Sequence, residues 1–407
     1  MGCQGDEFMI EMSDGVHAMI LSGGGAYGAY EVGVMKALFS GESPATGYRP
    51  LNAGIFCGTS VGALNAAFMT AQPGVDSAST ASELENIWIN EISDNPKSCG
   101  NGIYRFRGDP LGYLDPACIT AHRADPFAEA AGDATFFAQY WLKRGTSFLA
   151  AAGPLPQRAL QLVDLSAFIS TEPLKQQIKR IMRFDRVRSA DRVLRVAATN
   201  WQTGQVKIFE NEEMTDALAP LIMQASAAIP GVFPPVEIAG NTYVDGGVVM
   251  NTPLRPAIHA GATTLHVVYL DPDVRSIPIQ RLQNTLDTMM KTYTILQATI
   301  ANEDITTASW INDGLEVIER VSRGELPAEG DLLSFVRVAG EIEQAIRRGF
   351  PYRKLTIHRY RPEKDLGGPL GMLNFRQPVI LESIERALDE TINHDCDACQ
   401  CVLPRAV

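Results

Sequence analysis

GIFCGTSVGALNAAF, residues 54–68, is a short apolar run that leads into a glycine-flanked serine and then into a helical pattern. The spacing Gly-x-Ser-x-Gly at Gly58, Ser60 and Gly62 is typical of a strained strand-to-helix turn that exposes a nucleophilic serine. A serine N-cap on a glycine-softened helix gives the same local pattern. The stretch therefore predicts a strand, a tight turn and a helix, and the role of Ser60 depends on what activates it.

A similar unit precedes it in VHAMILSGGGAYGAYEVGVMKALF, residues 16–39. An apolar strand over 16–21 is broken by a glycine run, and an apolar helical stripe follows. The stripe consists of Val34, Met35, Leu38 and Phe39. Two such units in succession favour βαβ construction and a mainly parallel sheet. Because parallel strands end side by side, the turns at 22–28 and 58–62 are expected to meet.

The remaining chain continues as alternating strands and helices around one core. We expect an N-terminal tail over 1–15, one α/β domain over 16–392 and a Cys-rich tail over 393–407. Within the domain we predict a helical insertion over about 100–165 and a mostly helical extension from about 278. Further strands are expected at 193–199, 205–209, 241–244 and 263–270 and at KLTIHRY (354–360), with helices near 214–227 and from Pro253.

Composition excludes several classes of protein. Apolar residues make up 45% of the 407 and charged residues 20%, which is typical of a globular chain. The net charge of −12 disfavours nucleic acid as a partner, because binding phosphates requires a cationic face. No apolar run approaches the roughly 18 residues of a membrane span. The N-terminus has no secretory signal pattern, so we expect a cytoplasmic protein with at most peripheral membrane contact.

Seven cysteines, scattered and odd in number, do not form a disulfide framework. Four soft ligands nevertheless lie together near the end of the chain, at His394, Cys396, Cys399 and Cys401. Structural zinc sites usually draw ligand pairs from two separated elements, which this stretch alone does not supply. A solvated tail with incidental thiols is therefore favoured over a metal site, and we expect neither metal nor cofactor.

The glycine run fits two different uses. Gly23, Gly25 and Gly28 satisfy the dinucleotide-binding pattern Gly-x-Gly-x-x-Gly. That fold also needs an acidic residue at the end of the second strand, where this chain has Cys57 and Gly58. The N–H groups of residues 23–25 are instead suited to an oxyanion hole, the set of donors that stabilises a tetrahedral intermediate.

Asp245 is the candidate base for Ser60. It follows the strand NTYV and precedes Gly246 and Gly247, a setting in which an aspartate commonly bonds its own backbone. With an ordinary pKa near 3.9 it is a weak base in water, but burial beside the serine would raise that pKa. Four of the six histidines lie in apolar strands or helices and are expected to be core residues: His17, His259, His266 and His358.

The three blocks Gly-Gly-Gly-x-x-Gly, Gly-Thr-Ser-x-Gly and Asp-Gly-Gly, in this order, resemble the signature of patatin-like phospholipases. ASAAIPGVFPPV and ATNWQTGQVKIF are similar to connecting segments of that family, and the likeness extends over about 16–272 and faintly through 357–366. The resemblance implies a three-layer α/β/α fold and a Ser60–Asp245 dyad without histidine. It also implies an oxyanion hole at Gly23, Gly24 and Gly25. Tyr27 departs from the basic residue that many members carry.

The activity implied is hydrolysis of carboxylic esters in phospholipids or related acyl lipids through an acyl-enzyme. A catalytically silent lipid-binding or scaffold protein on the same fold is the alternative. Partners are expected to be the lipid substrate and, transiently, a membrane surface. An aromatic segment from Phe136 to Leu149 is interpreted either as core or as a cap over the substrate cleft.

Overall fold

The computed structural model describes residues 15–72, 76–94, 100–108, 126–150, 165–270, 285–323, 340, 353–367 and 371–403. Among these residues, no helix is both long and apolar enough to cross a membrane. The tail over 1–14 and the expected helix beyond 150 lie outside the described residues. The strands are β1 (His17–Leu21), β2 (Ala53–Thr59), β3 (Arg105–Phe106), β4 (Ile169–Ser170), β5 (Val193–Asn200), β6 (Val206–Glu210), β7 (Val236–Ile238), β8 (Asn241–Asp245), β9 (Thr264–Val268) and β10 (Thr356–Tyr360).

Ten α-helices are described between and after these strands. They are α1 (Gly28–Ser40), α2 (Val61–Thr70), α3 (Ser77–Ile87), α4 (Pro126–Ala150), α5 (Glu172–Ile181), α6 (Phe184–Ser189), α7 (Ala219–Ser226), α8 (Leu254–His259), α9 (Thr285–Ser322) and α10 (Gln377–Ile392). The helix predicted near 214–227 is shorter than expected and spans Ala219–Ser226.

The central sheet has the strand order β10-β9-β1-β2-β5-β8-β7, and β6 also pairs with β5. The five strands from β10 to β5 run parallel. The remaining pairs, β5–β6, β5–β8 and β7–β8, are antiparallel. The expected mainly parallel sheet is thus confirmed. Its carboxyl ends bring the turn after β1 and the turn after β2 to one edge, where the candidate site lies.

Helices cover both faces of the sheet, which gives three layers. Successive side chains of a strand point to opposite faces, and β1 divides its residues accordingly. Met19 and Leu21 join the larger core cluster, which includes residues of α1, α2, α7 and α10. Ala18 and Ile20 join a second cluster with residues of α8 and α9. The α/β/α architecture is confirmed.

Two expectations are wrong, one about a histidine and one about the C-terminal segment. His259 was expected in the core, but it is exposed at the last residue of α8. The segment after α10 is not a freely solvated tail, because Val402 pairs with Ile357 of β10 and His394 is buried. Its docking on an edge strand depends on contacts that are distant in sequence, so the local composition gave no sign of it.

The aromatic helix α4 packs on the short antiparallel strand pair β3–β4 and is only partly covered. The Asp133 carboxylate accepts two hydrogen bonds from the Arg105 guanidinium, at 2.8 and 2.9 Å. The Arg107 guanidinium lies 4.0 Å from the ring centre of Phe136. Trp141 is 50% exposed, so it is not a core residue. The side chain of Leu149 lies outside the described set.

Candidate active site

The turn between β2 and α2 holds Ser60 in a strained conformation. Its φ of 56° and ψ of −124° lie outside the regions that non-glycine residues favour, and such strain accumulates at functional sites. Both flanking glycines are required by close packing. A Cβ on Gly58 would lie 2.2 Å from the Gly62 carbonyl oxygen, and one on Gly62 would lie 2.3 Å from the Leu21 carbonyl oxygen. The backbone at Ser60 is therefore a tight, strained turn from strand to helix, and its role as a nucleophile elbow stays a prediction.

Ser226, the last residue of α7, fixes this elbow from the interior. Its Oγ accepts a hydrogen bond from the Ser60 N–H at 2.9 Å and donates one to the Ala197 carbonyl oxygen at 2.6 Å. The side chain is fully buried. Ser226 thereby ties the Ser60 turn to β5, a contact that its sequence context did not indicate.

Asp245 lies at the end of β8 and is 1% exposed. Its Oδ1 accepts hydrogen bonds from the Gly247 N–H at 2.7 Å and from the Tyr293 hydroxyl at 3.2 Å. Burial raises the pKa of Asp245 to about 6, and hydrogen bonding by the Gly247 N–H, the Ser60 hydroxyl and the Tyr293 hydroxyl opposes that rise. Ser60 and Asp245 therefore lie within hydrogen-bonding reach of one another, although β8 runs antiparallel to its neighbour β5.

The second carboxylate oxygen of Asp245 has acceptor capacity to spare. Oδ2 is buried, and within the described part of the chain no donor meets the distance and angle limits of a hydrogen bond to it. A buried, unpaired carboxylate oxygen costs free energy, and such groups are rare unless they serve a function. Catalytic hydrogen bonds are often loose before substrate binds. The pair therefore has the composition and burial of a nucleophile with its base.

The glycine turn after β1 is anchored by Asn251. The Gly23 N–H donates to Asn251 Oδ1 at 3.0 Å, and Asn251 Nδ2 donates to the Gly23 carbonyl oxygen at 3.2 Å. In the part of the chain that the structure describes, the N–H groups of Gly24 and Gly25 have no acceptor outside their own turn. The three glycines thus differ: one is engaged in holding the turn, and two have N–H groups available.

Helix α9 covers the Asp245 turn, which gives the helical extension a position in the site. Tyr293 donates to Asp245, as described above, and Gln297 Nε2 donates to Asn251 Oδ1 at 3.2 Å. The covering is tight, because a Cβ on Gly247 would lie 2.4 Å from Gln297 Nε2 and 2.6 Å from the Tyr293 hydroxyl. Sequence patterning indicated a helix here but gave no reason to assign these side chains to the site.

A small pocket with a cavity volume of about 30 Å³, partly open to solvent, is lined by Ser60 and Gly25. Apart from Ser60, every side chain in its wall is apolar. Tyr27 is not among the wall residues; it is buried against Gly371. The wall is completed by Val61, Leu64, Ile103, Leu174, Ala227, Ile229, Phe233, Met372, Leu373 and Phe375.

The apolar side chains that line this pocket are suited to contact a hydrocarbon chain. Deep apolar walls with few polar groups at one end are typical of sites that bind apolar ligands and orient them by one functional group. No residue of α4 contributes to the wall as described. The interpretation of the aromatic segment as a cap therefore stays a prediction.

Comparison with known proteins gives one informative match. The family model of patatin-like phospholipases matches residues 19–258, more than half of the chain. No curated protein sequence matches. Among solved structures, VipD from Legionella pneumophila is similar with a TM-score of 0.34 and 14% identity, over 93% of this chain and 67% of that one. A likeness this low carries no argument about the site.

Proposed function

Because the chain belongs to the patatin-like phospholipase family, we propose that it is a serine lipid acyl hydrolase with Ser60 as nucleophile and Asp245 as base. The family supports lipid acyl hydrolysis in general, and the residue roles rest on the site. The observation that carries the proposal is that a strained serine in the wall of an apolar pocket lies within hydrogen-bonding reach of a buried aspartate with a raised pKa.

In the first half of the proposed reaction, Ser60 Oγ attacks the ester carbonyl carbon while its proton passes to Asp245. The carbonyl oxygen becomes an oxyanion, which the N–H groups of Gly24 and Gly25 stabilise. Gly25 lies in the pocket wall with Ser60, whereas the Gly23 N–H is engaged by Asn251. Collapse of the intermediate breaks the bond to the alcohol, which takes the proton from Asp245 and leaves an acyl-enzyme.

In the second half, water attacks the acyl carbonyl and gives its proton to Asp245. The second tetrahedral intermediate collapses, Ser60 Oγ recovers the proton and the fatty acid leaves. A base is most effective when its pKa lies near the working pH. Burial supports this role, because it raises the pKa of Asp245 to about 6.

The apolar pocket is proposed to hold the acyl chain of a phospholipid or related lipid. Its wall offers apolar contacts to the chain, and the ester group needs a polar contact only at Ser60. The partly exposed aromatic helix α4 is proposed to touch lipid aggregates, with Trp141 as a contact residue. An alternative is a silent lipid-binding protein on the same fold. The apolar pocket suits that alternative equally, so turnover decides between the two.

The experiment is hydrolysis of a panel of defined phospholipids, lysophospholipids, neutral lipids and short-chain esters. Ser60→Ala and Asp245→Asn should each lower turnover by at least about 1,000-fold, because residues that act as one unit fail together. Ser40→Ala and Asp216→Asn, at exposed positions, are the matched controls and should retain wild-type rates. Absence of turnover on every substrate by the wild-type protein would favour the silent alternative.

A further inference from the structure

The edge of the sheet farthest from β7 carries a cluster of two histidines and two cysteines. One ligand atom from each of His358, His394, Cys396 and Cys401 lies within 4.8 Å of all the others. His358 Nδ1 lies 3.5 Å from Cys396 Sγ, and His394 Nε2 lies 3.4 Å from Cys401 Sγ. Ligand atoms around a tetrahedral zinc ion are separated by about 3.3–3.8 Å, given its usual bond lengths. The cluster thus has nearly the spacing of a zinc site.

The four ligands come from two separated elements, as structural zinc sites require. His358 lies on β10, and the others lie in the segment that follows α10. That segment is held in place by backbone bonds. Ile357 and Val402 exchange two N–H···O bonds of 2.8 and 2.9 Å, and the Cys401 N–H donates to the Cys396 carbonyl oxygen at 2.8 Å. His358 of β10, rather than Cys399, therefore completes the set of four ligands.

Neighbouring residues contact both the cysteine ligands and the histidine ligands of the cluster. The Arg359 N–H donates to Cys401 Sγ at 3.3 Å, a contact that stabilises negative charge on sulfur. The ring of His358 stacks on His266 with 5.1 Å between centres, and the ring of His394 lies 4.7 Å from that of Tyr360. Neighbours that fix the orientation of metal-ligating side chains are a regular part of such sites.

We propose that His358, His394, Cys396 and Cys401 bind one zinc ion that fastens the C-terminal segment to strand β10. Four protein ligands fill a tetrahedral shell and leave no position for substrate, so the ion is structural. β9 and β1 separate β10 from β2, the strand that leads to Ser60. The inference is therefore independent of the proposed hydrolysis.

The site would also support the helix layer next to the glycine turn. His394 follows α10 closely, and α10 packs on α1 so tightly that a Cβ on Gly33 would lie 2.2 Å from the Ile384 carbonyl oxygen. Fixing the end of α10 thus fixes a helix that buries α1. Loss of zinc should accordingly lower thermal stability rather than remove a reacting group.

The test is the zinc content of the purified, reduced full-length protein after dialysis, measured by mass spectrometry of the metal. We expect one zinc per chain in the wild type and in Ser60→Ala. Cys396→Ser and Cys401→Ser should bind far less than one. Cys399→Ser is the matched control, since its thiol is not among the four ligands, and should keep the full content.

Two further measurements do not depend on the folding of variants. Cobalt substituted into the wild-type protein should show the intense visible absorption of a tetrahedral site with thiolate ligands, and a strong chelator should lower the melting temperature. Reduced wild-type protein that binds no zinc from an equimolar solution would overturn the proposal. A Cys396–Cys401 disulfide in protein purified with reductant, or equal zinc loss in Cys399→Ser and Cys401→Ser, would also overturn it.

Discussion

Asp245→Asn should make the protein more stable above about pH 6 while it removes activity. Burial raises the pKa of Asp245 from 3.8 to about 6, which means that the folded state disfavours the charged carboxylate. An amide has nearly the same shape and no charge. It also keeps an Oδ1 that can accept from the Gly247 N–H and the Tyr293 hydroxyl, the two donors bonded to Oδ1 now.

The magnitude follows from linkage between proton binding and folding. Since the folded pKa lies above the unfolded value, the carboxyl group contributes its full stability below about pH 3.8 and loses it as the pH rises to about 6. One pKa unit corresponds to about 1.4 kcal/mol, so the loss is about 3 kcal/mol. Part of this loss is already complete at pH 4, so the stability of Asp245→Asn relative to wild type should rise by about 2 kcal/mol between pH 4 and pH 6.5 and then stay nearly constant.

The assay is urea unfolding of both proteins at several pH values, followed by circular dichroism. The pH-dependent part of the difference isolates this carboxyl, because all other groups are common to both proteins. Asp216→Asn, whose side chain is 84% exposed, controls for the loss of one negative charge. A stability difference that stays flat across pH 4–6.5, or that equals the difference for Asp216→Asn, would refute the reasoning.

Three other substitutions test the supports of the site. Ser226→Ala leaves the buried Ser60 N–H without its acceptor and should lower the free energy of unfolding by about 1–3 kcal/mol; an unchanged denaturation midpoint would contradict this. Gly24→Ala places its Cβ 2.7 Å from Leu270 Cδ1 and 2.9 Å from Leu270 Cβ, so the glycine turn must shift. The variant should lower kcat about 100-fold with little effect on KM. A folded variant with wild-type kcat would remove this turn from the mechanism. Trp141→Ser should cost under about 1 kcal/mol of stability, because the side chain is half exposed. It should slow hydrolysis of vesicles more than hydrolysis of a dispersed short-chain ester, and equal slowing of both would end the cap interpretation.

The strand–turn–helix units and the Ser60 elbow could be predicted because their signals are local. An apolar run predicts the strand, and glycines at 58 and 62 predict close backbone approach, which the packing distances now account for. Asp245 carries a weaker local signal, because most Asp-Gly turns bond only their own backbone. The order of the three motifs made its selection possible.

The residues that support the proposed Ser60–Asp245 dyad were not predictable, because their partners are distant in sequence. Asn251 bonds Gly23 across 228 positions, and Ser226 bonds Ser60 across 166. Nothing in the neighbouring residues indicates such contacts. The same applies to His358, which was expected to be an ordinary core histidine: its place beside the C-terminal cysteines depends on the pairing of β10 with Val402.

The most direct test of the central claim is the mass of the intact protein after reaction with a fluorophosphonate, followed by peptide mapping. A nucleophile activated by Asp245 should form one adduct per chain, and the adduct should lie on the peptide that contains Ser60. Asp245→Asn should form it far more slowly, and no histidine substitution should have a comparable effect. An unmodified wild-type protein, or an adduct on a serine other than Ser60, would contradict the account.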